Sequence, residues 1–335
     1  MLNRKKIVCI GGGSGVSTVL SGLREYPYEL TAIVTMFDNG GSSGKLRKEL
    51  GILPLGDVRA CLSVLAQEKT IIPFFYSRFQ KGKLKGHNLG NLIIAAAEQL
   101  TGSLENGIKR IGTILKVKGK VLPVATESAH IKVILKNGKK IIGEEEIINC
   151  QDVSKVGIKK ISLEPSVKAN PSAIRAIKGA DLIILAPGKF YTSIIPNLLV
   201  KGVSEAIKKS SAPKIMITNL MTQAGNTDNL KVEDFVKVIE EYLEKENINK
   251  VIFNTSKLSP FLMKEVRKSF PRANIVGYDK HLLKEERFVG EDLINRKIHK
   301  PNPNDILVRG QNKRTMVLHD SRKLAKIINR ILCKQ

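Results

Sequence analysis

Tryptophan is absent from the sequence, and aromatic residues make up only 5% of its 335 residues. No pattern is typical of an RNA-recognition motif or a helix-turn-helix, so the platforms on which nucleic-acid bases stack are missing. Acidic residues are few, 31 against 56 lysines and arginines, which gives a formal net charge of +25. Such a charge attracts polyanions without specificity. Because the lysines are spread along the whole chain, we interpret the charge as a solvated surface and expect no nucleic-acid partner.

Long apolar runs and clustered cysteines are also missing. No stretch reaches the roughly 20 apolar residues that a membrane helix requires, and the first apolar run, residues 7–10, is too short for a signal peptide. We therefore expect a cytoplasmic protein with no membrane span. No CxxC spacing joins the four cysteines, Cys9, Cys61, Cys150 and Cys333. This argues against a zinc site or a disulfide framework.

Apolar strand patterns alternate with amphipathic helix patterns, at the spacing of a parallel sheet with crossover helices. We predict strands at residues 6–10, 30–37, 181–186, 214–218 and 250–253. Helices are predicted after Gly15, from Asp57 as N-cap, from Asn88 with Leu89, Leu92, Ile93 and Ala96 facing inward, and at residues 171–178 and 194–208. The fold class is therefore α/β, a Rossmann-like open, mostly parallel sheet with helices on both faces.

The α/β alternation is interrupted once. Between residues 116 and 148 the pattern changes to short β segments, with Asn137-Gly138 placed as a two-residue hairpin turn. We predict a small antiparallel β excursion there. With 42% hydrophobic residues and enough length for a full core, residues 1–335 are predicted to form a single domain.

Polar loops follow five of the predicted strands. They begin at Gly11, Asp38, Pro187, Asn219 and Asn254. In an open parallel sheet the loops after the strands share one edge, where ligands bind at the point at which the strand order reverses. The sequence therefore predicts a nucleotide site at that edge.

The first loop has the composition of a phosphate-binding turn. Its glycines allow backbone N–H groups to approach an anion at the start of the following helix. The loop is Gly11, Gly12, Gly13, Ser14 and Gly15. It lacks the dinucleotide fingerprint, because position 16 is Val16, and no Lys-Ser/Thr pair follows as in a Walker A loop. A tight turn with no ligand is the alternative.

The second loop begins with an acid. Asp38 has the spacing at which a Rossmann enzyme binds a ribose hydroxyl, and it could also hold Mg²⁺ or only cap a helix. We predict it as the catalytic residue if the protein is an enzyme. Asn39 supplies a neutral side chain where a second acid would favour a metal. The following helix adds positive charge suited to a second phosphate or a carboxylate; its candidate residues are Gly40, Gly41, Ser42, Ser43, Lys45 and Arg47.

Two further groups of polar residues are candidates for ligand binding. His87, Asn88 and Asn91 lie at a helix start, where they could contact a base or sugar or only cap the helix. Lys189 and Thr192 precede another helix, and Lys189 is a candidate phosphate contact. No Ser-His-Asp order or HxxxH spacing is present, so a hydrolytic triad is unsupported.

Six segments of the sequence resemble the YvcK-type gluconeogenesis factor family, within the wider CofD-like group. They are GGGSGVSTVLSGLR, TMFDNGGSSGKLRKELG, PLGDVRACLSVL, KGHNLGNLIIAA, APGKFYTSIIPNLLVKGVSEAI and NLMTQAGNT. The resemblance implies a protein that binds UDP-N-acetylglucosamine and supports cell shape and envelope synthesis on gluconeogenic carbon sources. It also implies envelope-synthesis proteins as partners, a homo-oligomer and no obligatory cofactor.

The resemblance adds candidate ligand-binding residues to those chosen from the loops. They are Asp57, Arg59, Gly188, Tyr191, Asn219, Thr222, Gln223 and Tyr278, the last as an aromatic that could stack on uracil. The 2-phospho-L-lactate transferases of the same group join an activated phospholactate to a deazaflavin with magnesium. A transferase of that type is the alternative function, with Mg²⁺ as a possible cofactor, and a dehydrogenase is a poor third because the dinucleotide fingerprint fails.

The sequence departs from the family pattern at several positions. Asp38-Asn39 replaces a pair of acids, Lys189-Phe190 replaces Ser-Leu after Gly188, and Asn226 replaces a glutamate. These changes weaken the expectation of metal binding. Leu318 stands where relatives commonly have an arginine before His-Asp, so Arg309 or Arg314 would have to replace its contact with a diphosphate.

Overall fold

The structure is a computed structural model that describes residues 4–297, 307 and 317–333. In chain order its strands are β1 (Lys6–Gly11), β2 (Glu29–Val34), β3 (Lys120–Pro123), β4 (His130–Leu135), β5 (Lys140–Ile142), β6 (Ile158–Glu164), β7 (Leu182–Leu185), β8 (Lys214–Ile217), β9 (Lys250–Asn254) and β10 (Phe288–Glu291).

The α-helices are α1 (Gly13–Leu23), α2 (Gly41–Leu50), α3 (Gly56–Leu65), α4 (Ile72–Tyr76), α5 (Leu89–Thr101), α6 (Leu104–Ile114), α7 (Glu144–Asn149), α8 (Asp152–Val156), α9 (Pro171–Lys178), α10 (Ile195–Leu199), α11 (Val203–Lys209), α12 (Val232–Leu243), α13 (Pro260–Ser269) and α14 (Ser321–Cys333). A π-helix (Phe190–Ile194) and a 3₁₀-helix (Lys280–Lys284) complete the elements. None of the described helices is long and apolar enough to cross a bilayer.

The main sheet has the strand order β10-β9-β8-β7-β1-β2-β3, and each neighbouring pair is parallel. All four residues of β7 and of β8 are buried, as expected for central parallel strands covered by helices. The chain builds the sheet outward from β1 to β3, returns to β7, and then builds in the other direction. This confirms the predicted Rossmann-like sheet and places the reversal of strand order between β1 and β7.

The small antiparallel sheet is confirmed, but its predicted bounds at 116–148 are wrong. It consists of β5-β4-β6 and therefore extends to Glu164, whereas β3 pairs with β2 in the main sheet. The predicted β pattern after Ile142 is also wrong, because α7 begins there with three glutamates. Acidic side chains favour the first turn of a helix, where they interact with its positive end.

Other local predictions need correction. The hairpin loop comprises residues 136–138 and has three residues, with Gly138 at φ +86°, in place of the predicted two. The helix predicted at 194–208 is three elements, broken before α11 at Gly202, whose φ is +97°. Asp57 is in the first turn of α3 and is not its N-cap. On α5, Ala96 is exposed and Gly90 is buried, because α4 and α6 both pack on this helix.

Candidate functional site

The loops after β1 and β7 touch where the strand order reverses. A Cβ placed on Gly15 would lie 1.6 Å from the carbonyl oxygen of Pro187, and one on Gly12 would lie 2.8 Å from Cβ of Ser193. Only glycine fits at such distances. The glycines predicted as a phosphate-binding loop therefore also allow α1 to pack against the β7 loop.

Asp57 lies against the start of α1. A Cβ on Gly13 would lie 2.5 Å from Oδ1 of Asp57, and one on Gly12 would lie 3.4 Å from Oδ2. Helix α1 has Gly12 as N-cap and no acid of its own in the first turn. The Asp57 carboxylate therefore lies at the positive end of the α1 dipole, which stabilises negative charge. Any phosphate that binds there shares this helix terminus with Asp57.

Asp38, Glu144, Lys189 and Thr192 form a polar cluster beside the β7 loop, here called the carboxyl–lysine cluster. The Lys189 Nζ donates to Oε1 of Glu144 at 3.1 Å, and the Thr192 hydroxyl lies 3.5 Å from the same oxygen. The Glu144 side chain is 4% exposed, against 30% for Lys189. Its Oε2 is buried, and no N–H group or hydroxyl of a described residue donates to it. The cluster thus joins a buried acid to a cation that reaches the surface.

Burial and mutual contact shift the pKa values of the two carboxyl groups of the cluster in opposite directions. Burial and the neighbouring Glu144 raise the pKa of Asp38 well above its usual range. Burial opposes ionisation of Glu144 as well, but Lys189 and the hydrogen bonds from Asp38 and Thr192 lower its pKa below the usual value. When two carboxyl groups are in contact, ionisation of the first raises the free-energy cost of ionising the second. We therefore assign the proton to Asp38, as donor to the Glu144 carboxylate, which pairs with Lys189.

Asn39 positions Glu144 and does not point toward the cluster. Its Oδ1 accepts from the backbone N–H of Glu145 at 2.8 Å, and its Nδ2 donates to Glu146 at 2.8 Å. Asn39 thereby ties the β2 loop to the first turn of α7. Glu144 was not predicted as a site residue. The signal for it was a glycine followed by three glutamates, a helix start directly after a strand.

The segment of residues 144–156, which contains α7 and α8, also contacts the loop after β8. Asn226 donates to the carbonyl of Ile148 at 3.3 Å, and the Ser154 hydroxyl donates to Asp228 at 2.5 Å. The segment therefore bridges the loops after β2, β7 and β8 across the edge of the sheet. It forms part of the wall of the candidate site.

Ser42 is the centre of a second buried network. Its hydroxyl contacts Nδ1 of His87 and accepts from the Asn88 backbone N–H and from Nδ2 of Asn91, each at 3.3 Å. Asn88 also caps α5 by accepting from the N–H of Asn91. Burial lowers the pKa of His87, so the neutral ring can accept the Ser42 proton. This network joins α2 to α5.

The two arginines predicted as ligand contacts donate hydrogen bonds to other groups of the protein. Arg47 donates to Ser128 and to the carbonyl of Ala129, each at 2.7 Å. Arg59 donates to Asn91 at 2.9 Å and to the carbonyl of Phe75 at 3.0 Å. Close to them, Ser43 accepts from the Gly56 N–H and Lys45 is exposed. Their predicted contacts with a ligand stay predictions.

The other predicted candidates connect loops, pack against aromatic side chains or lie at helix starts. Asn219 exchanges two hydrogen bonds with the Gly188 backbone, at 3.2 and 2.8 Å. Thr222 accepts from the Asn274 N–H. Tyr191 and Tyr278 pack on Phe190 and Phe253, with centroid distances of 5.1 and 4.9 Å. The remaining candidates are Ser14, exposed on the first turn of α1; Gly40 and Gly41, the N-cap and first residue of α2; and Gln223, whose Nε2 is buried without a partner among the described residues.

The predicted replacements for the arginine that relatives have at position 318 are Arg309 and Arg314. Both lie outside the described residues. Leu318 is half-buried, and its carbonyl accepts from the Asn295 N–H at 2.9 Å. The next residue, His319, is buried and donates from Nε2 to the carbonyl of Thr218 at 3.1 Å. This bond fixes the start of α14 to the end of β8, one residue before Asn219.

Comparisons with known proteins agree with this architecture. The family model of the 2-phospho-L-lactate transferase CofD matches residues 7–293. A Thermotoga maritima protein, provisionally named a gluconeogenesis factor, is 41% identical over 97% of this chain and 99% of its own. The gluconeogenesis factor of Bacillus subtilis is 35% identical over 98% of each chain. The chain belongs to the CofD family, in its gluconeogenesis factor group. A crystal structure of a UPF0052 family member from Bacillus halodurans matches it with a TM-score of 0.86 and 34% identity, covering 98% of this chain and 100% of that chain.

If the chain binds Mg²⁺, side chains at the edge of the sheet must supply its ligands. Mg²⁺ usually takes one or two carboxylates together with phosphate oxygens and water. Asp38 and Glu144 supply two carboxyl groups, but Lys189 already provides a positive charge beside them. Across residues 4–297 and 317–333 no group of three or more His, Cys, Asp or Glu is placed to hold a metal. Asp38 and Glu144 are the residues that would hold such an ion, and together they do not form a complete metal cage.

Proposed function

We propose that the protein binds a nucleotide sugar of the UDP-N-acetylglucosamine type at the carboxyl edge of the sheet between β1 and β7. It acts there as a cytoplasmic, non-catalytic regulator of cell shape and envelope synthesis during gluconeogenic growth. The observation that carries the proposal is the position of Lys189. The Lys189 side chain is 30% exposed. Ser193, whose backbone N–H donates to the Lys189 carbonyl, packs against Gly12 of the glycine loop.

The edge provides the groups that a diphosphate requires. Helices α1 and α2 both start at glycine N-caps, which have no side chain to occupy the helix terminus, and backbone N–H groups at helix starts favour anions. Lys189 supplies a full positive charge, whose hydrogen bonds to phosphate are about twice as strong as neutral ones. In the free protein this charge is held by Glu144. Binding therefore exchanges Glu144 for a phosphate oxygen as the partner of Lys189.

Isothermal titration calorimetry with UDP-N-acetylglucosamine, UDP and N-acetylglucosamine tests the proposal. We expect heat with the first two ligands and none with the sugar alone. Lys189→Met should weaken binding by roughly 10- to 100-fold, the value of one charged hydrogen bond. Lys160→Met, which removes an exposed lysine of β6, is the matched control and should leave the affinity unchanged. Absence of heat at millimolar UDP-sugar would contradict the proposal.

A second candidate function is a magnesium-dependent transferase of the phospholactyl type. The observation that favours it is the carboxyl pair of Asp38 and Glu144, because two carboxyl groups with separated pKa values are typical of acid–base sites. Incubation with magnesium, nucleoside-diphosphate-activated phospholactate and deazaflavin should then yield the coupled product. If no product forms while calorimetry detects UDP-sugar, the binding function stands and the transferase is rejected.

A further inference from the structure

An exposed segment, residues 73–85, combines apolar and basic side chains. It runs from α4 into the loop before α5. Phe74 is 56% exposed, Tyr76 40% and Leu84 43%, whereas Phe75 between the two aromatic residues is 1% exposed. Several large apolar side chains exposed within one short segment make it a candidate interaction site. These three account for a third of the exposed large hydrophobic residues in the described part of the chain.

The charge of this segment is of one sign. From Lys69 to Ala97 the sequence contains no aspartate or glutamate, which is the longest acid-free stretch of the chain. Within it, Lys81, Lys83 and Lys85 are exposed and form no ion pair with a described residue. Some lysines on other surfaces have acidic partners, as in the pair of Lys139 and Asp152 at 2.6 Å. The positive field of residues 73–85 is therefore not neutralised locally.

The base of the segment is fixed to the domain. The Phe75 carbonyl accepts from Arg59 at 3.0 Å, and the Phe79 N–H donates to the His87 carbonyl at 3.0 Å. Arg78 closes the loop by donating to the Gly86 carbonyl at 2.8 Å. Ordered hydrogen bonds thus hold the exposed tip in one place. A surface that is fixed in this way loses little conformational freedom when it binds a partner.

We propose that residues 73–85 dock on an anionic lipid bilayer, with Phe74 and Leu84 inserted among the headgroups and the three lysines beside lipid phosphates. Apolar side chains next to lysines are the combination that binds the membrane interface, and basic residues add attraction to anionic lipid. A second copy of the chain is disfavoured as the partner, because a twofold contact would bring the two positively charged copies of this segment together. A purely electrostatic partner such as RNA leaves the exposed leucine without a role.

Docking would bring the candidate nucleotide site close to the bilayer. His87, at the base of the segment, contacts Ser42 at the start of α2, and α2 begins in the loop that carries Asp38. The docking surface does not overlap the carboxyl–lysine cluster. Membrane binding and nucleotide binding are therefore separable, and the failure of one leaves the other untouched.

Vesicle co-sedimentation of the full chain tests the inference. The probes are phosphatidylcholine vesicles with and without phosphatidylglycerol, and binding is expected only to the anionic ones. Combined Lys81→Gln, Lys83→Gln and Lys85→Gln should weaken binding by roughly 100-fold, at about 1 kcal/mol for each lysine near an anionic surface. Combined Phe74→Ser and Leu84→Ser should weaken it by roughly tenfold through the apolar area withheld from the headgroups.

Matched variants separate a defined surface from the general positive charge. Lys136, Lys159 and Lys160 lie exposed on or beside the small sheet, and their combined change to Gln removes the same charge. This control should retain wild-type binding, and Leu100→Ser with Phe261→Ser, both exposed elsewhere, should do the same. Thermal melting confirms that all variants fold.

Four results would overturn the inference. They are no binding to anionic vesicles, equal loss in the two lysine variants, full binding by the Phe74 and Leu84 variant, and RNA homopolymer binding through the same residues without vesicle binding.

Discussion

Replacement of Asp38 by asparagine tests the assignment of the proton in the carboxyl–lysine cluster. In the native protein Oδ1 of Asp38 accepts from the Gly40 N–H at 2.7 Å, and the protonated carboxyl donates to Glu144. Asparagine reproduces both bonds, because its Oδ1 accepts and its Nδ2 donates. We therefore expect Asp38→Asn to change the free energy of unfolding by less than about 1 kcal/mol.

Other replacements in the cluster should cost more. Asp38→Ala removes an acceptor from the Gly40 N–H and a donor from an ionised carboxylate, a loss of about 3 kcal/mol. Glu144→Gln removes the charge that faces Lys189 and should cost about 2 kcal/mol. This is below the value for a fully buried pair, because the Lys189 side chain is 30% exposed and partly solvated. Urea unfolding, with the midpoint and slope compared among variants, measures these differences.

The pH dependence of the same variant has a defined sign. The folded protein keeps the Asp38 proton above pH 3.8, the ordinary pKa of aspartate, whereas the unfolded chain has lost it. Wild-type protein therefore loses stability as the pH rises from about 3.8 toward the raised pKa. Asp38→Asn has no such loss, so its stability relative to wild type should increase across that range. If Asp38→Asn costs more than Glu144→Gln, or gains nothing with pH, the proton is on the other carboxyl group.

Asp38→Asn also separates the two candidate functions. A nucleotide-sugar binder that uses Asp38 in its protonated form should keep its affinity for UDP-N-acetylglucosamine. A transferase that needs an ionised Asp38 for Mg²⁺ or for proton transfer should lose product formation, because asparagine neither ionises nor takes a proton. Calorimetry and the coupled-product assay on one variant therefore give opposite outcomes for the two functions.

Three further variants test other contacts of the edge. Lys189→Met leaves the buried carboxylate of Glu144 without a counter-charge, and we expect a loss of about 3 kcal/mol in urea unfolding. Burial lowers the pKa of His319 from 6.5 to about 4, so the free energy of unfolding of the wild type falls by up to about 3 kcal/mol as the pH drops through that interval. In His319→Gln we expect the free energy of unfolding to depend less on pH in the same range. Gly15→Ala forces a methyl group into the Pro187 carbonyl, which should cost about 3 kcal/mol and weaken nucleotide-sugar binding, measured by thermal melting with and without ligand.

Matched controls identify the cause of each effect. Glu164→Gln breaks a partly exposed pair with Lys132 and should cost less than about 1 kcal/mol. Gly179→Ala meets its first neighbour at an ordinary 3.4 Å and should be nearly neutral. Equal losses for Gly15→Ala and Gly179→Ala would refute the close approach of α1 and the β7 loop, and an unchanged acid limb in His319→Gln would refute its role in the pH dependence.

The main sheet could be predicted because its central strands are continuous apolar runs. Every residue of β7 and β8 is buried, and such runs bounded by polar loops leave few alternatives. The predicted bounds of these strands differ from the observed ones by a residue or two. The reversal between β1 and β7 follows from the order of the strands, and that order could not be determined from the sequence alone.

Prediction failed where a short segment could satisfy two patterns. The run after Lys139 continues the alternation of β5, yet its glutamates start α7 and give the fold Glu144, the missed member of the cluster. Asp38 and Glu144 are far apart in sequence, so local periodicity cannot bring them together. The resemblance to relatives did not identify Glu144 either, because it lies between the matched segments.

The sequence located polar residues at the edge of the sheet but did not reveal which groups they contact. Asn39 accepts from a backbone N–H in the first turn of α7, and Asn219 exchanges hydrogen bonds with the backbone of Gly188 in the β7 loop. Buried backbone N–H and carbonyl groups must be paired, so part of the polar content of the edge is required by the fold itself. Lys189 differs from these residues because its partner is the carboxylate of Glu144 and its own side chain reaches the surface. For that reason Lys189, and not the number of polar residues at the edge, carries the proposal of anion binding.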